Sequence, residues 1–262
     1  MTNGLEKLAE GIGKTIGSAP SLYEDALQPT VREVGKMAAR IPCAINAAFS
    51  GLDEWILNKE NNLEKIKNLL PPNLKNVDPE KIVVPEPYVA VPAIQAISYS
   101  MDSDELRELY AKLLAKSMVT DTKDMVHPAY VETIKQLSPN DAKYFTHIFS
   151  LKYRPVVNVN LHIPYGYKIL DQHINNFSEG YGNEFHFIVD NLCRLKLIDI
   201  KSRFAYSDDS VYASLLRQVE LQYPFEKYKE QYPEALSIEY EKERIDLTPY
   251  GFKFYECCVA PI

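Results

Sequence analysis

Two stretches near the carboxyl end, NLCRLKLIDI at residues 191–200 and IDLTPYGFKFYECC at residues 245–258, decide the fold that the sequence predicts. The first stretch ends an amphipathic helix and turns through leucines into a short strand. The second leaves a strand at Thr248-Pro249, where a hydroxyl cap and a proline in the first turn start a helix. The end of the chain is therefore predicted to be a helix, a turn into two strands and a closing helix.

The segments just before this end supply the remaining elements. From Arg154 to Ile163 apolar and polar residues alternate, as they do in a half-buried strand. Apolar residues over 169–177 suggest a helix, and those over 185–193 give a second one. This order of elements is that of a winged helix-turn-helix. We therefore predict such a domain over 137–262, with an enlarged wing at about 205–237 that contains its own helix.

Residues 1–136 are predicted to form a helical region. One amphipathic stripe over 30–57 is rich in Gly and Ala, and Pro42 should kink or break it. These small residues favour close packing in a bundle, while a contact with a membrane surface or with a second copy stays open. A short helix is predicted to stop at Pro71-Pro72, and a Pro-rich, ordered crossover to follow over about 71–92.

The clearest helix of the first half follows Asp102, which is predicted to cap it with Glu105 as a partner. Glu108 and Lys112 are spaced for an ion pair on its surface. Further along, Ser138 is predicted to cap the next helix. The predicted fold class is mainly α with a small β component: an N-terminal helical bundle followed by a winged helix-turn-helix-like domain.

Composition excludes several classes of protein. With 46% hydrophobic and 25% charged residues, the chain fits a globular protein and not a disordered one. Its formal net charge of −7 argues against bulk attraction to nucleic acid. Its four Cys have no regular spacing, and no apolar leader is visible. We expect a cytoplasmic protein, and a location peripheral to the membrane is the alternative.

No known catalytic or metal-binding motif stands out. The five His and four Cys lack zinc spacing, and no nucleophile elbow occurs. We therefore predict no catalytic residue, no cofactor and no metal ligand. His127 precedes Pro128 at a predicted helix start, where it should close the turn; a functional contact is the alternative.

The acidic character of the second half favours a protein partner over DNA. The exposed face of the 184–196 helix is predicted to present Glu184, His186, Asp190, Asn191 and Arg194. The segment 205–246 holds ten acidic against five basic residues, and a duplex would repel it. Tyrosines are common at interfaces, although these could instead pack the insertion onto the domain. The candidate interaction residues are His127, Glu184, Asp190, Arg194, Tyr206, Tyr212, Tyr223, Tyr228 and Tyr232.

Three further stretches carry a resemblance to a known family. They are KIVVPEPYVAVPAIQAISYS (81–100), DELRELYAKLLAKSM (104–118) and HPAYVETIKQLSPNDAKYF (127–145), and the closing IDLTPYGFKFYECC fits with them. Together they resemble the bacterial Abi-alpha (abortive infection alpha) family over roughly residues 22–258. The resemblance implies a bacterial cytosolic protein linked to phage defence. It brings no established catalytic residues.

Three hypotheses for function follow from these observations. The first is a phage-defence protein that binds a host or phage protein, without catalysis of its own, and that could form a homo-oligomer. The second is a winged-helix regulator that binds DNA, which requires a basic surface. The third is an infection-triggered enzyme, which requires a pocket with clustered acids or His and shifted pKa values.

Overall fold

The computed structural model describes residues 40–50, 60–97, 100 and 102–262. Within these ranges the chain forms ten α-helices and four strands. In chain order they are α1 (40–50), α2 (Glu60–Leu74), α3 (Pro87–Ile97), α4 (Asp104–Ser117), α5 (Ala129–Lys135), α6 (Pro139–Ser150), β1 (Pro155–Ile163), β2 (Gly166–Ile174), α7 (Phe185–Arg194), β3 (Ile198–Ile200), α8 (Ala213–Gln222), α9 (Phe225–Gln231), β4 (Ser237–Leu247) and α10 (Pro249–Cys258). The predicted mainly α class with a small β component is confirmed. Of the helix predicted over 30–57, α1 covers residues 40–50; residues 30–39 and 51–57 are not among the described residues.

The four strands form one antiparallel sheet in the order β2-β1-β4-β3. The predicted strands at 154–163 and near both ends of the large insertion are confirmed as β1, β3 and β4. Val157 and Val159 of β1 face one side, where they are fully buried against α8. Asn158 and Asn160 face the other side, which also carries the glutamates of β4.

The helix predicted over 169–177 is wrong, because most of this segment is strand β2. Pro164 and Tyr165 form a two-residue turn that brings Gly166 opposite Ile163, so β2 pairs at once with β1. Short apolar runs fit both helical and strand periods, and pairing with β1 decides between them by satisfying the backbone. The predicted order of helix, strand, helix, helix therefore does not hold at this point.

The prolines of the first half break fewer helices than predicted. Helix α2 continues through Pro71 and Pro72, and α3 starts at Pro87 and contains Pro92. The irregular connection is thus residues 75–86, and the predicted crossover over 71–92 is too long. Each internal proline removes a backbone hydrogen bond at a cost of about 3 kcal/mol. Full burial of apolar side chains such as Leu70, Leu74 and Ile97 offsets that cost.

The start signals of two helices have different outcomes. Ser103, not Asp102, caps α4: its hydroxyl accepts a hydrogen bond from the Leu106 amide at 3.3 Å. The helix begins one residue later than predicted, so Asp102 lies outside the cap position. The cap of α6 by Ser138 is confirmed, and it is a reciprocal capping box with Asp141. The predicted pair of Glu108 and Lys112 is also confirmed, at 2.8 Å.

One hydrophobic core contains residues from both sides of position 137. Leu113 and Leu114 of α4 belong to the same cluster as Phe145 of α6 and Phe254 of α10. A second cluster lies under the insertion between β3 and β4, where Tyr212 and α8 pack on the sheet. The helix predicted inside the enlarged wing is confirmed as α8, and α9 is an additional one.

Helix α10 is seated by close contacts at both of its ends. Thr248 caps it by accepting a hydrogen bond from the Gly251 amide at 2.8 Å, and its hydroxyl donates to the Lys196 carbonyl. At the other end, Lys112 donates to the Val259 carbonyl at 2.6 Å, and Lys116 donates to the Glu256 carbonyl. Two lysines one helical turn apart on α4 thus hold the negative end of the α10 dipole.

The close approach of α10 to Leu197 predicts a strongly destabilising substitution. A Cβ at position 251 would overlap the carbonyl oxygen of Leu197 and lie 2.7 Å from its carbonyl carbon. Gly251→Ala should therefore lower the free energy of unfolding by about 1–3 kcal/mol, although alanine favours helices. Urea unfolding followed by circular dichroism measures the change.

Gly180 provides the matched control, because a Cβ there would meet no atom within 4 Å. Gly180→Ala should leave stability unchanged or raise it by up to about 1 kcal/mol, since it restricts only the unfolded chain. Equal effects of the two substitutions would contradict the seating of α10 on Leu197.

Candidate interaction surface

Helix α7 has a buried face and an exposed stripe. Phe185, Ile188, Val189 and Leu192 are buried in the main core. On the opposite side, residues spaced three or four apart form an exposed stripe of Glu184, Phe187, Asp190 and Arg194. The Phe187 side chain is 69% exposed. We call these four residues the α7 stripe.

A tight turn fixes the carboxyl end of α7. The Leu197 amide donates to the Leu192 carbonyl and the Lys196 amide to the Cys193 carbonyl, each at 3.0 Å. Lys196 has a φ of 58°, so the turn is a Schellman motif with a lysine in the left-handed position. The turn leads directly into β3, so it sets the orientation of α7 relative to the sheet.

A buried polar network ties α7 to the start of α6. The Asn191 amide nitrogen donates to Asp141 Oδ2 and to the Gln136 carbonyl, both at 2.9 Å. The Asn191 oxygen accepts from Arg194 Nη2 at 2.6 Å, and Arg194 Nη1 donates to Gln136 Oε1 at 2.8 Å. Asp141 is fully buried and also accepts the Ser138 amide at 2.7 Å. Asn191, predicted on the exposed face, is therefore a buried link, and it is 7% exposed.

The amino end of α7 is held by the segment before it. Residues Ser178–Glu184 form a 3-10 turn that is interrupted at Gly182, whose φ of 54° favours glycine. Glu184 accepts a hydrogen bond from the Asn140 side chain at 2.9 Å. Since Asn140 is neutral, this contact orients the carboxylate and leaves its charge in place.

Next to the stripe, three polar side chains from distant segments meet. Asp171 of β2 lies 3.0 Å from His186 Nε2, and the Tyr223 hydroxyl donates to its other oxygen. Burial and the neighbouring Asp171 raise the pKa of Tyr223, so the hydroxyl keeps its proton. These residues line a cavity of about 370 Å³. Asp171 and Tyr223 join the insertion to the sheet, and His186 joins the sheet to α7.

His173 sits behind this group in a strained position of β2. It has a φ of 56°, and its amide donates to Asn158 Oδ1 at 2.8 Å. Burial lowers the pKa of His173, against the opposite influence of Glu243 on β4, Asp190 on α7 and Asp171 on its own strand. His186 adds a smaller effect in the same direction as burial.

The candidate tyrosines of the segment between β3 and β4 make most of their contacts within the chain. Tyr212 is fully buried and donates to the Glu243 carbonyl at 2.8 Å. The Tyr206 hydroxyl accepts from the Arg154 amide at 3.0 Å. Tyr228 stacks on Tyr223, with ring centroids 6.2 Å apart. Tyr232 accepts from Lys168 at 2.6 Å. These contacts agree with the alternative in which the rings pack the insertion.

His127 lies on another part of the molecule, at the start of α5. Its Nδ1 accepts a hydrogen bond from the Ala129 amide at 3.1 Å, which closes the turn as predicted. The structure thus brings Glu184, Asp190 and Arg194 together on one stripe and places His127 elsewhere.

The sequence prediction missed Phe187 and the pairing of Asp171 with His186. The helical spacing of 184, 187, 190 and 194 is the signal in the sequence that could have identified Phe187 as exposed. The pairing depends on how β2 folds back along β1, so no local pattern contains it.

Comparison with known proteins gives the family of the chain. The family model for Abortive infection alpha matches residues 58–258. The chain belongs to the Abortive infection alpha family. The resemblance stated from the sequence is confirmed, over a range that starts later than residue 22. No curated protein and no solved structure matches this family member.

In the part of the chain that the structure describes, this Abi-alpha protein has neither a helix suited to span a membrane nor a cluster of metal ligands. Within residues 40–50, 60–97, 100 and 102–262, none of the helices has both the length and the apolar character needed to cross a membrane. In the same part of the chain, His, Cys, Asp and Glu side chains form no group of three suited to a metal ion.

The network around Asn191 predicts a large loss of stability on truncation. Asn191→Ala would remove one of the two donors to Asp141 Oδ2 and would leave the Gln136 carbonyl without its donor. The free energy of unfolding should fall by about 2–4 kcal/mol, because buried polar groups lose their partners. Asn176→Ala, at an exposed turn, should change it by no more than about 0.5 kcal/mol. Urea unfolding distinguishes the two, and a small effect of Asn191→Ala would contradict the network.

The lowered pKa of His173 predicts a dependence of stability on pH. The unfolded chain takes up a proton near the ordinary value of 6.5, whereas folded His173 resists protonation. Stability contributed by this group is thus present above 6.5 and is lost as the pH falls below it. His173→Asn tolerates the positive φ and removes this titration.

In that variant the loss of unfolding free energy with acidification should be shallower than in wild type. The difference in slope should reach at most about 1.4 kcal/mol per pH unit, which corresponds to one proton. Urea unfolding at a series of pH values measures both slopes. Identical slopes would contradict the lowered pKa of His173.

Proposed function

We propose that this protein acts in abortive infection by binding another protein through the α7 stripe. The observation that carries the proposal is the exposure of Phe187, at 69%, between the carboxylates of Glu184 and Asp190. An aromatic ring held in water on a rigid helix gains free energy when a partner covers it. A ring of charged residues around an apolar centre is the usual anatomy of a transient protein interface.

We also propose that residues from α6 to α10 act as a winged-helix-type module. The adjacency of β1, β4 and β3, and the passage from α7 through a tight turn into β3, support this assignment. In such modules the helix before the hairpin is the recognition helix. Here α7 takes that place, and the connection from β3 to β4, with α8 and α9, replaces the wing.

The charge on the stripe favours a protein partner over a nucleic acid. A recognition helix that reads DNA presents basic and amide side chains to phosphates and bases. The α7 stripe instead presents two carboxylates and a phenyl ring. Its arginine, Arg194, donates to Asn191 and Gln136 and is thus used to hold the helix. The partner should offer an apolar pocket with a basic border.

A plaque assay tests the role of Phe187. Cells that carry the wild-type gene should reduce the plaque count of at least one phage in a broad panel. Phe187→Ser should abolish most of this reduction, since loss of a central aromatic residue costs about 2 kcal/mol or more of binding. Phe204→Ser is the matched control, because Phe204 is 55% exposed and lies off the stripe; it should protect like wild type.

Both variants should be produced at wild-type levels and unfold at the wild-type urea concentration. Full protection by Phe187→Ser would contradict the stripe as the binding surface. Equal plaque counts with and without the wild-type gene across the panel would contradict the role in abortive infection. Tight, salt-sensitive binding to duplex DNA in a gel-shift assay would contradict the choice of a protein partner.

A further inference from the structure

The cavity beside His186 is a second feature of this region, and none of the four residues of the α7 stripe lines it. It lies between β2, the 3-10 turn before α7 and the end of α8, and has a volume of about 370 Å³. Cavities of this size accept small ligands or single side chains. The lining residues are Asp171, Ile174, Ser178, Gly182, Phe185, His186, Gln222 and Tyr223.

Asp171 keeps one open acceptor position toward a ligand. Its Oδ1 accepts from the Gln172 amide at 2.7 Å and lies 3.0 Å from His186 Nε2. Its Oδ2 accepts from the Tyr223 hydroxyl. A carboxylate offers about four acceptor positions, so one remains on Oδ2.

Two further polar side chains of the lining also keep an acceptor, because each uses a donor for a contact within the chain. Ser178 donates its hydroxyl proton to the Asn175 carbonyl at 2.8 Å. Gln222 directs its amide nitrogen to Tyr223 Oη at 3.4 Å, which leaves its amide oxygen.

The charge and the walls of the cavity select a cation. Asp171 places a carboxylate at the cavity, and the residues that line the cavity include neither lysine nor arginine. The rings of Phe185 and Tyr223 form part of the wall, and aromatic faces attract cations. A ligand for this cavity should therefore be positively charged and rich in donors.

We propose that this cavity binds a primary alkylammonium group, from a lysine side chain or from a free amine. An ammonium has three N–H donors and no acceptor, which matches the acceptors of Asp171, Ser178 and Gln222. A guanidinium fits less well, because its planar fork needs two open acceptors on one carboxylate. The site is separate from the α7 stripe, and the proposal does not depend on the proposed function.

NMR titration of the full chain with n-butylammonium chloride tests the site. Amide resonances of Gly182, His186 and Gln222 should shift in a saturable way at millimolar concentrations. n-Butanol, which has the same shape without the charge, should produce no saturable shift at these residues. Equal shifts with n-butanol, or no saturable shift with n-butylammonium, would overturn the proposal.

Two variants locate the binding groups. Gln222→Met removes one acceptor and keeps the length of the side chain, so affinity should fall severalfold. The matched control Gln231→Met changes an exposed glutamine of α9 and should bind like wild type. Asp171→Asn removes the charge and should lower affinity about tenfold or more. If this variant fails to fold, Gln222→Met still decides, and an unchanged affinity there would overturn the proposed acceptor set.

A further titration separates the two sources of the ammonium group. N-acetyl-lysine methylamide represents a lysine within a polypeptide, and its ε-acetylated form is the uncharged control. Binding of the lysine compound as tight as that of n-butylammonium supports a protein lysine as the ligand. Binding of n-butylammonium alone supports a free amine. Binding of the ε-acetylated form as tight as that of the lysine compound would overturn the proposal.

Discussion

The arrangement of the whole molecule depends on how the last helix is seated. At its amino end, α10 approaches the backbone of Leu197 so closely that only a glycine fits at position 251. At its carboxyl end, Lys112 and Lys116 of α4 donate to its final carbonyl groups. Burial lowers the pKa of Lys116, so placing its ammonium group there has a desolvation cost. The hydrogen bond to the Glu256 carbonyl offsets part of that cost. Helix α10 thus joins the helical first half to the sheet.

That seating also positions α7, because Leu197 belongs to the turn that ends it. The same turn contacts α10 through Lys196, whose carbonyl accepts the Thr248 hydroxyl. Asn191 then binds α7 to the capped start of α6 through Asp141. Both connections are backbone or buried polar contacts with fixed geometry. An exposed residue on such a helix is preorganised, so a partner that binds it loses little conformational entropy.

The sequence correctly predicted the features that residues close together in the chain determine, such as helix caps and an alternating strand. Ser138 and Thr248 cap their helices as predicted, and the alternation of 154–163 is a strand. The errors lie where distant contacts decide. Most of the 169–177 segment is a strand because it pairs with the backbone of β1. Helix α2 continues through Pro71 because apolar residues of this helix, such as Leu70 and Leu74, are buried. Asp171 and His186 belong to segments whose contact no helical or strand period encodes.

Several of the acidic residues in 205–246 have partners within the chain or are buried. Glu239 pairs with His162 at 2.9 Å, Asp209 with Lys242 at 2.9 Å, and Glu243 is buried within the sheet. The pair of Asp209 with Lys242 reduces the negative potential that residues 205–246 present to solvent, and burial of Glu243 removes its carboxylate from the surface. Glu184, by contrast, is held by a neutral asparagine, so its charge acts outward beside Phe187. The preference for a basic, apolar partner therefore rests on the few carboxylates of the α7 stripe and not on the total charge of the chain.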